Sequence, residues 1–163
     1  SWAPTLYVKI PVTNTRGEFA GALIRRLAQQ KVQLNVTAIL TLDQVRRVAD
    51  CLVSGIASCV SVFAGRIADT GVDPVPIMAE AVSIVRPLNR AEIIWASPRE
   101  LLNVFQADAA GCHIITATPD VLSKLKLVGR DLADFSLDTV KMFRDDAVAA
   151  GYTVQTRKRA AAV

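Results

Sequence analysis

The sequence has few of the residues that build metal sites, disulfide frameworks and catalytic triads. His113 is the only histidine, which excludes a histidine-based triad and a metal site with several histidines. The three cysteines, Cys51, Cys59 and Cys112, form no Cys-x-x-Cys pair and are odd in number. This pattern argues against a disulfide-stapled secreted module and a clustered zinc site. We therefore expect a metal-free protein of the reducing cytoplasm.

Long apolar runs and clustered aromatic residues are also missing. The longest stretch without a charge, from Cys51 to Gly65, is shorter than the roughly 18 residues that a membrane-spanning helix needs. Only 6% of the residues are aromatic, and the run Arg157-Lys158-Arg159 supplies three of the four net positive charges. Nucleic-acid binders usually carry clustered basic residues on the fold itself. We therefore expect neither a membrane nor a nucleic acid as partner.

Apolar residues, in contrast, make up 52% of the chain, which is enough for one well-packed domain. Five β-branched runs predict strands, and segments with helical periodicity follow them. The predicted strands are Leu6–Val12, Val32–Ile39, Ser58–Phe63, Glu92–Ala96 and His113–Ala117. The predicted helices are Phe19–Ala28, Val45–Ile56, Ile77–Val85, Pro98–Ala107, Pro119–Leu125 and Leu137–Ala150. This alternation indicates a parallel α/β sheet covered by helices, either open or closed into a barrel.

Local motifs support some of these helix starts, and the motifs typical of open nucleotide-binding sheets are missing. Thr41–Gln44 and Ser97–Glu100 both have the pattern of a capping box, the second with Pro98 at the first helical position. Thr118-Pro119 repeats the arrangement of a cap followed by proline. Neither Gly-x-Gly-x-x-Gly nor Gly-x-x-x-x-Gly-Lys-Ser/Thr occurs, so no nucleotide-binding fingerprint favours an open sheet.

Lys9 interrupts a strand that is otherwise suited to complete burial. Because side chains alternate, Leu6, Val8 and Ile10 are expected to pack against helices. Lys9 would then point into a barrel near the carboxyl end of its strand, where barrel active sites lie. Burial of a lysine favours the uncharged amine, which can attack a carbonyl and form a Schiff base. The alternative is an edge-strand lysine that prevents strand addition.

Five ordered motifs and a closing segment make the whole chain similar to one family. The motifs are Val8–Thr13 with Gly17, Asn35–Thr37, Ser61–Ile67 with Asp69 and Gly71, Ala96–Arg99, and Gly111–Pro119, and the closing segment is Asp131–Phe143. Together they resemble the transaldolase and fructose-6-phosphate aldolase family. Val62, Pro98 and His113 depart from the proline, phenylalanine and acid that are usual in the family.

The resemblance implies a (β/α)8 TIM-barrel type of fold, of which this chain covers about strands 4–8 with their helices. Residues 1–152 would form this partial barrel, and residues 153–163 a basic C-terminal tail. In this family the acid/base aspartate lies on the first strand, which would precede Ser1. We therefore expect incomplete catalysis or none from the 163-residue chain alone, and complete machinery in a longer product that contains it.

By the same resemblance, Lys9 is the Schiff-base lysine, and Arg66, Ser97 and Arg99 bind the substrate phosphate. A capped helix N-terminus at Ser97 would also favour an anion, since it offers free N–H groups. The residues alone leave simpler interpretations open. Ser97 could serve only as a cap, and Arg66 could pair with Asp69 at the surface.

The resemblance also gives Asn35, Thr37 and Phe63 roles in binding substrate. Asn35 and Thr37 are two residues apart, so they share a face of their strand; without the resemblance they are strand-end polar residues. Phe63 stands where the aldolases carry tyrosine and transaldolases carry phenylalanine. A phenol there could assist proton transfer through water, whereas Phe63 cannot, which favours transfer over cleavage.

The expected function is therefore transfer of a dihydroxyacetone unit between sugar phosphates through a lysine Schiff base. The alternatives are fructose-6-phosphate aldolase-like cleavage and a non-catalytic fragment that binds sugar phosphates. No cofactor is expected, because the iminium itself accepts the electron pair. The expected partners are a sugar-phosphate substrate and further copies of the chain in a homo-oligomer.

Overall fold

The computed structural model of the chain describes residues 6–153, which fall into two compact units divided after Leu125. In the first unit the strands are β1 Val8–Pro11, β2 Leu34–Ile39, β3 Ser58–Val62, β4 Ala91–Trp95 and β5 Ile114–Ile115. Its helices are α1 Gly21–Gln29, α2 Leu42–Ala49, α3 Ala64–Ala68, α4 Pro74–Val85, α5 Leu102–Ala109 and α6 Pro119–Ser123. A short 3-10 helix, Lys124–Leu127, is followed by α7, Leu132–Ala149, in the second unit.

The five strands form one parallel sheet in the order β1-β2-β3-β4-β5, so each strand pairs with the next one along the chain. Parallel neighbours require a crossover connection, and helices supply the crossovers here. This arrangement confirms the predicted α/β class with helices between parallel strands. All five predicted strands are present; four are shorter than their apolar runs, and β4 has the predicted length but begins one residue earlier.

The core lies between the sheet and the helices of the first unit. Alternate strand residues such as Val36, Val60 and Ile93 are fully buried there against α-helical side chains such as Ile24 and Met78. The prediction that Leu6 and Val8 also pack in this core is wrong, because their exposed fractions are 44% and 38%. β1 is an edge strand, and no described strand covers its outer side.

The capping box at Thr41 is confirmed. The Thr41 hydroxyl accepts a hydrogen bond from the Gln44 backbone N–H at 3.2 Å, and the Gln44 side chain accepts one from the Thr41 N–H at 3.1 Å. The reciprocal pair satisfies two N–H groups that lack partners inside the helix. The threonine, aspartate and glutamine in this segment are therefore enough to locate the start of α2.

The capping box predicted at Ser97 is wrong. Ser97 has a left-handed backbone with φ of 62°, and α5 begins only at Leu102. The buried Asn103 side chain accepts hydrogen bonds from the N–H groups of Arg99 at 2.7 Å and Glu100 at 3.2 Å. Asn103 thus stabilises a turn where the sequence predicts the first turn of a helix, and Ser97 caps nothing.

Several other helices differ from their predicted bounds, and α2 ends at Ala49 instead of Ile56. α4 begins at Pro74 instead of Ile77, because the Asp73 carboxylate accepts a hydrogen bond from the Val75 N–H at 3.0 Å and caps the helix there. α3 has five residues and contains a glycine, and it was not predicted. Thr118-Pro119 behaves as predicted in placing proline at the start of α6, but the Thr118 side chain makes no cap hydrogen bond.

The second unit consists mainly of α7, which begins five residues before the predicted helix. Asp131 caps it, since its carboxylate accepts hydrogen bonds from the N–H groups of Ala133 and Asp134 at 2.8 and 3.0 Å. None of its residues is buried, and Val140 and Phe143 are among its exposed apolar side chains. No helix in the described residues has the length and hydropathy needed to cross a bilayer. Nearly all of the predicted basic tail, from residue 154 on, lies outside the described residues.

Candidate active site

Lys9 lies in β1 opposite Asn35 of β2, on the side of the sheet that faces away from the helical core. The side chain is exposed, and it forms no ion pair or side-chain hydrogen bond with another residue in the range 6–153. The prediction that Lys9 is buried is therefore wrong for this chain. The physical reason is its place on an edge strand, where water reaches one flank of the side chain.

A row of polar side chains continues from Lys9 across the same face of the sheet. The Ser61 hydroxyl of β3 donates a hydrogen bond to Oδ1 of Asn35 at 2.7 Å, which fixes the amide next to Lys9. Thr37 is buried, and its hydroxyl has no hydrogen-bond partner in the described part of the chain. Buried hydroxyls are normally paired, so this one is available to a small polar ligand or a water.

The same face of the sheet also carries an apolar cluster. Cys59, Ile94 and Ala96 form a small buried cluster, and Tyr7 and Phe63 pack against it. Burial, followed by the charge of Glu92, raises the pKa of the Cys59 thiol to about 11. Burial also raises the pKa of Tyr7. Both groups are therefore uncharged at neutral pH, and Cys59 is not an activated nucleophile.

The loops that follow β3 and β4 meet at the carboxyl end of the sheet. Gly65 lies so close to the backbone of Ser97 that a Cβ atom on Gly65 would be 1.6 Å from the Ser97 carbonyl oxygen. The Gly65 N–H also donates to the carbonyl of Ala96 at 3.4 Å. This contact brings the segment that carries Arg66 against the segment that carries Ser97 and Arg99.

The two arginines at this end have different surroundings. Arg99 forms a two-pronged ion pair with Asp69, in which Nε donates to Oδ1 at 3.1 Å and Nη2 contacts Oδ2. The guanidinium of Arg66 lies 5.5 Å from the centroid of the Phe63 ring, and Arg66 has no ion-pair partner among residues 6–153. The alternative that Arg66 pairs with Asp69 is therefore wrong, because Asp69 binds Arg99, which is more distant in the sequence.

Two residues other than glycine have left-handed backbones at the carboxyl ends of strands. Ala38 has φ of 62° where the register between β2 and β3 shifts, and Ser97 has the same φ after β4. Such conformations cost energy and concentrate at functional sites. Lys31 and Arg90, which precede β2 and β4, have left-handed backbones too, so this conformation occurs at both edges of the sheet.

Comparison with known proteins gives one family. The Transaldolase/Fructose-6-phosphate aldolase family model matches residues 2–159. This chain belongs to the transaldolase/fructose-6-phosphate aldolase family. It is 32% identical over 139 residues to a protein named "Probable transaldolase" from Herpetosiphon aurantiacus, covering 85% of this chain and 58% of that protein. It is also 33% identical over 125 residues to "Probable transaldolase 2" from Listeria monocytogenes, covering 76% and 54%.

A third relative, "Probable transaldolase" from a Thermoanaerobacter species, is 32% identical over 150 residues, which is 91% of this chain and 63% of the relative. The chain therefore spans between about half and two thirds of the length of these family members. No three histidine, cysteine, aspartate or glutamate side chains within residues 6–153 lie close enough together to hold a metal ion.

Three residues make contacts in the site that the sequence did not predict. Ser61 positions Asn35, Asp69 binds Arg99, and Asn103 holds the turn before α5. Cys59 is the register partner of Asn35, and Ser61 lies two residues further along the same strand face. Alternation along β3 was therefore a signal that could have indicated Ser61. Asp69 and Asn103 act across loops, and no local spacing in the sequence indicates their partners.

Proposed function

We propose that this chain carries the lysine and the phosphate-binding residues of a transaldolase-like enzyme. The observation that supports this most strongly is the arrangement around one sheet. Lys9 and Asn35 are register partners on the face away from the core, and Arg66, Ser97 and Arg99 converge at the carboxyl edge through the Gly65 contact. Ligands of parallel α/β sheets bind at this edge.

We further propose that β1–β5 are strands four to eight of a (β/α)8 barrel. The parallel order and the greater length of the relatives support this. In a complete barrel a further strand would pair with the free edge of β1 and cover Lys9. That strand would remove water from around the lysine, which favours the uncharged amine that reacts with a carbonyl.

The proposed reaction begins when the Lys9 amine attacks the keto carbon of a ketose phosphate. The carbinolamine loses water and becomes an iminium, which accepts the electron pair when the C3–C4 bond breaks. A base removes the proton from the C4 hydroxyl, and an aldose phosphate leaves. The three-carbon enamine that stays on Lys9 then attacks the aldehyde of an acceptor aldose phosphate, and water releases the new ketose phosphate.

Arg66, Ser97 and Arg99 are the proposed phosphate ligands. Arg66 carries a positive charge that no described carboxylate neutralises, and the Ser97 hydroxyl has no hydrogen-bond partner within residues 6–153. Arginines bind phosphate through pairs of charge-assisted hydrogen bonds. Arg66 comes from α3, and Ser97 and Arg99 come from the loop between β4 and α5, so the three groups can hold a phosphate from two sides.

The choice between transfer and cleavage depends on whether the enamine is protonated by water or attacks a second aldehyde. Phe63 packs beside the site at the end of β3 and has no hydroxyl to relay a proton. Without that relay, protonation of the enamine by water is slower, and attack on a second aldehyde is favoured. This supports transfer over simple aldol cleavage.

The experiment measures glyceraldehyde 3-phosphate released from fructose 6-phosphate by a longer product that contains this chain and the strands proposed to precede β1, with and without an aldose phosphate acceptor. Release that depends on the acceptor is the result expected for transfer, and release without acceptor would indicate cleavage instead. Lys9→Met should abolish release, whereas Lys124→Met, which changes an exposed lysine after α6, should not. Release that survives Lys9→Met would contradict the proposed role of Lys9.

A non-catalytic sugar-phosphate-binding module is the second candidate, and the exposure of Lys9 favours it for the 163-residue chain alone. This candidate predicts binding of fructose 6-phosphate without release of product.

The exposed apolar side chains on α7 support a further proposal, that copies of the chain associate as a homo-oligomer. Sedimentation equilibrium tests it, and a single monomeric species at micromolar concentration would contradict it.

A further inference from the structure

Asp69 holds one of the two arginines in the proposed phosphate site. Its carboxylate accepts a hydrogen bond from Nε of Arg99 at 3.1 Å and also contacts Nη2 of the same guanidinium. This is the two-pronged geometry in which a carboxylate and a guanidinium pair most strongly. The two residues are 30 positions apart, so the pair also ties the segment after β3 to the segment after β4.

The pair leaves part of the guanidinium available. Of the five N–H donors of Arg99, Asp69 occupies one on Nε and one on Nη2, and the second donor of Nη2 and both donors of Nη1 remain. No other acceptor contacts this side chain within the described residues. Asp69 therefore fixes which edge of the guanidinium is presented to an incoming anion.

Arg99 is also held at its backbone. Its N–H donates to the Asn103 side chain at 2.7 Å, and the backbone of Ser97, two residues earlier, lies close against Gly65. The side-chain torsions of Arg99 are the remaining freedom, and Asp69 restricts them. Arg66 differs, because only the Phe63 ring lies beside its guanidinium and no described carboxylate orients it.

We propose that Asp69 is a positioning residue that orders Arg99 for the phosphate group of the substrate. This inference rests on the phosphate site of the proposed function. Removing Asp69 has two opposite effects, since the carboxylate also repels a phosphate. The repulsion acts through solvent, because both side chains are half exposed, and salt screens it. Salt weakens the contact between Asp69 and Arg99 less than the longer-range repulsion of phosphate, because the paired atoms touch each other. Loss of the ordering of Arg99 therefore dominates at moderate ionic strength.

The test is the affinity of the full chain for inorganic phosphate, measured by phosphorus NMR titration in 0.15 M sodium chloride. Asp69→Asn should raise Kd about three- to tenfold, the range expected when a flexible side chain must be ordered during binding. Asp69→Glu keeps the carboxylate and should bind phosphate within about twofold of the wild type. Glu80→Gln is the matched control, because Glu80 forms an equally exposed pair with Arg46 at 2.7 Å. It makes the same charge change outside the site and should leave Kd unchanged.

A double-mutant cycle separates positioning from a general structural effect. In an Arg99→Met background, Asp69→Asn should cause no further loss of phosphate affinity, because the group on which Asp69 acts is gone. An equal loss in both backgrounds, or tighter binding by Asp69→Asn alone, would overturn the inference. Wild-type binding that Asp69→Asn leaves unchanged would overturn it while sparing the proposed function. Absence of binding by the wild type would overturn both.

Discussion

Replacing Gly65 with alanine tests whether close contact between two loops builds the proposed phosphate site. The added Cβ would lie 1.6 Å from the Ser97 carbonyl oxygen and 2.7 Å from its carbon. Real Cβ contacts are essentially never shorter than 3.0 Å, so the carbonyl would have to move by about 1.4 Å. The obstacle is backbone, which cannot rotate away as a side chain can.

The magnitude follows from two opposing terms. Alanine normally stabilises a helical position relative to glycine by about 0.5–1 kcal/mol. Overpacking of a buried position costs about 1–3 kcal/mol, and a backbone obstacle belongs at the upper end of that range. The net expectation is a loss of about 2 kcal/mol in the free energy of unfolding, which lowers Tm by about 4–8 °C in a chain of this size.

Urea and thermal unfolding, followed by circular dichroism, measure this change. Gly21→Ala is the matched control, because Gly21 is also helical but its Cβ would meet the edge of the Phe19 ring, at 2.3 Å. That ring can rotate, so the control should remain close to wild-type stability. A Gly65→Ala protein as stable as Gly21→Ala would refute the argument that this contact is tight and rigid.

Three further changes test separate parts of the structure. Asn103→Ala leaves two turn N–H groups without their acceptor and should lower the free energy of unfolding by about 1–3 kcal/mol in urea, whereas Asn103→Asp keeps the acceptor and should lose less. Burial raises the pKa of the Cys59 and Cys112 thiols to about 11, so the unfolded chain loses these protons first as pH rises. Their contribution to stability should be complete below about pH 9 and decline between about pH 9 and 11 in a series of unfolding curves, and a flat series would count against it. Thr41→Ala removes the capping box of α2 and should cost about 1 kcal/mol, which Thr41→Ser should largely restore; no loss in Thr41→Ala would show that the cap contributes nothing.

The sequence predicted those features that depend on neighbouring residues. The start of α2 follows from Thr41 and Gln44, which are three positions apart and bond to each other. The alternation of apolar runs and helical segments likewise predicted five parallel strands. The same reasoning failed at Ser97, where the motif is equally good but Asn103 offers the N–H groups a competing acceptor.

The candidate site was predicted in part. The resemblance selected Lys9 and the three phosphate-site residues, and the structure brings the segments of Arg66, Ser97 and Arg99 together. Whether Lys9 is buried or exposed could not be predicted from the sequence, because this depends on whether another strand covers β1. The partner of Asp69 could not be predicted either. Local spacing favours Arg66, three residues away, whereas packing of Gly65 on Ser97 brings in Arg99 from another loop.

Covalent trapping of the Schiff base on Lys9 is the most decisive measurement. A longer product that contains this chain and the strands proposed to precede β1 would be incubated with fructose 6-phosphate and borohydride, and its intact mass and fragments measured beside a transaldolase control. We expect a reduced dihydroxyacetone adduct located on Lys9 and absent from Lys9→Met. An unmodified product under conditions that label the control, or an adduct that persists in Lys9→Met, would contradict the proposed role of Lys9.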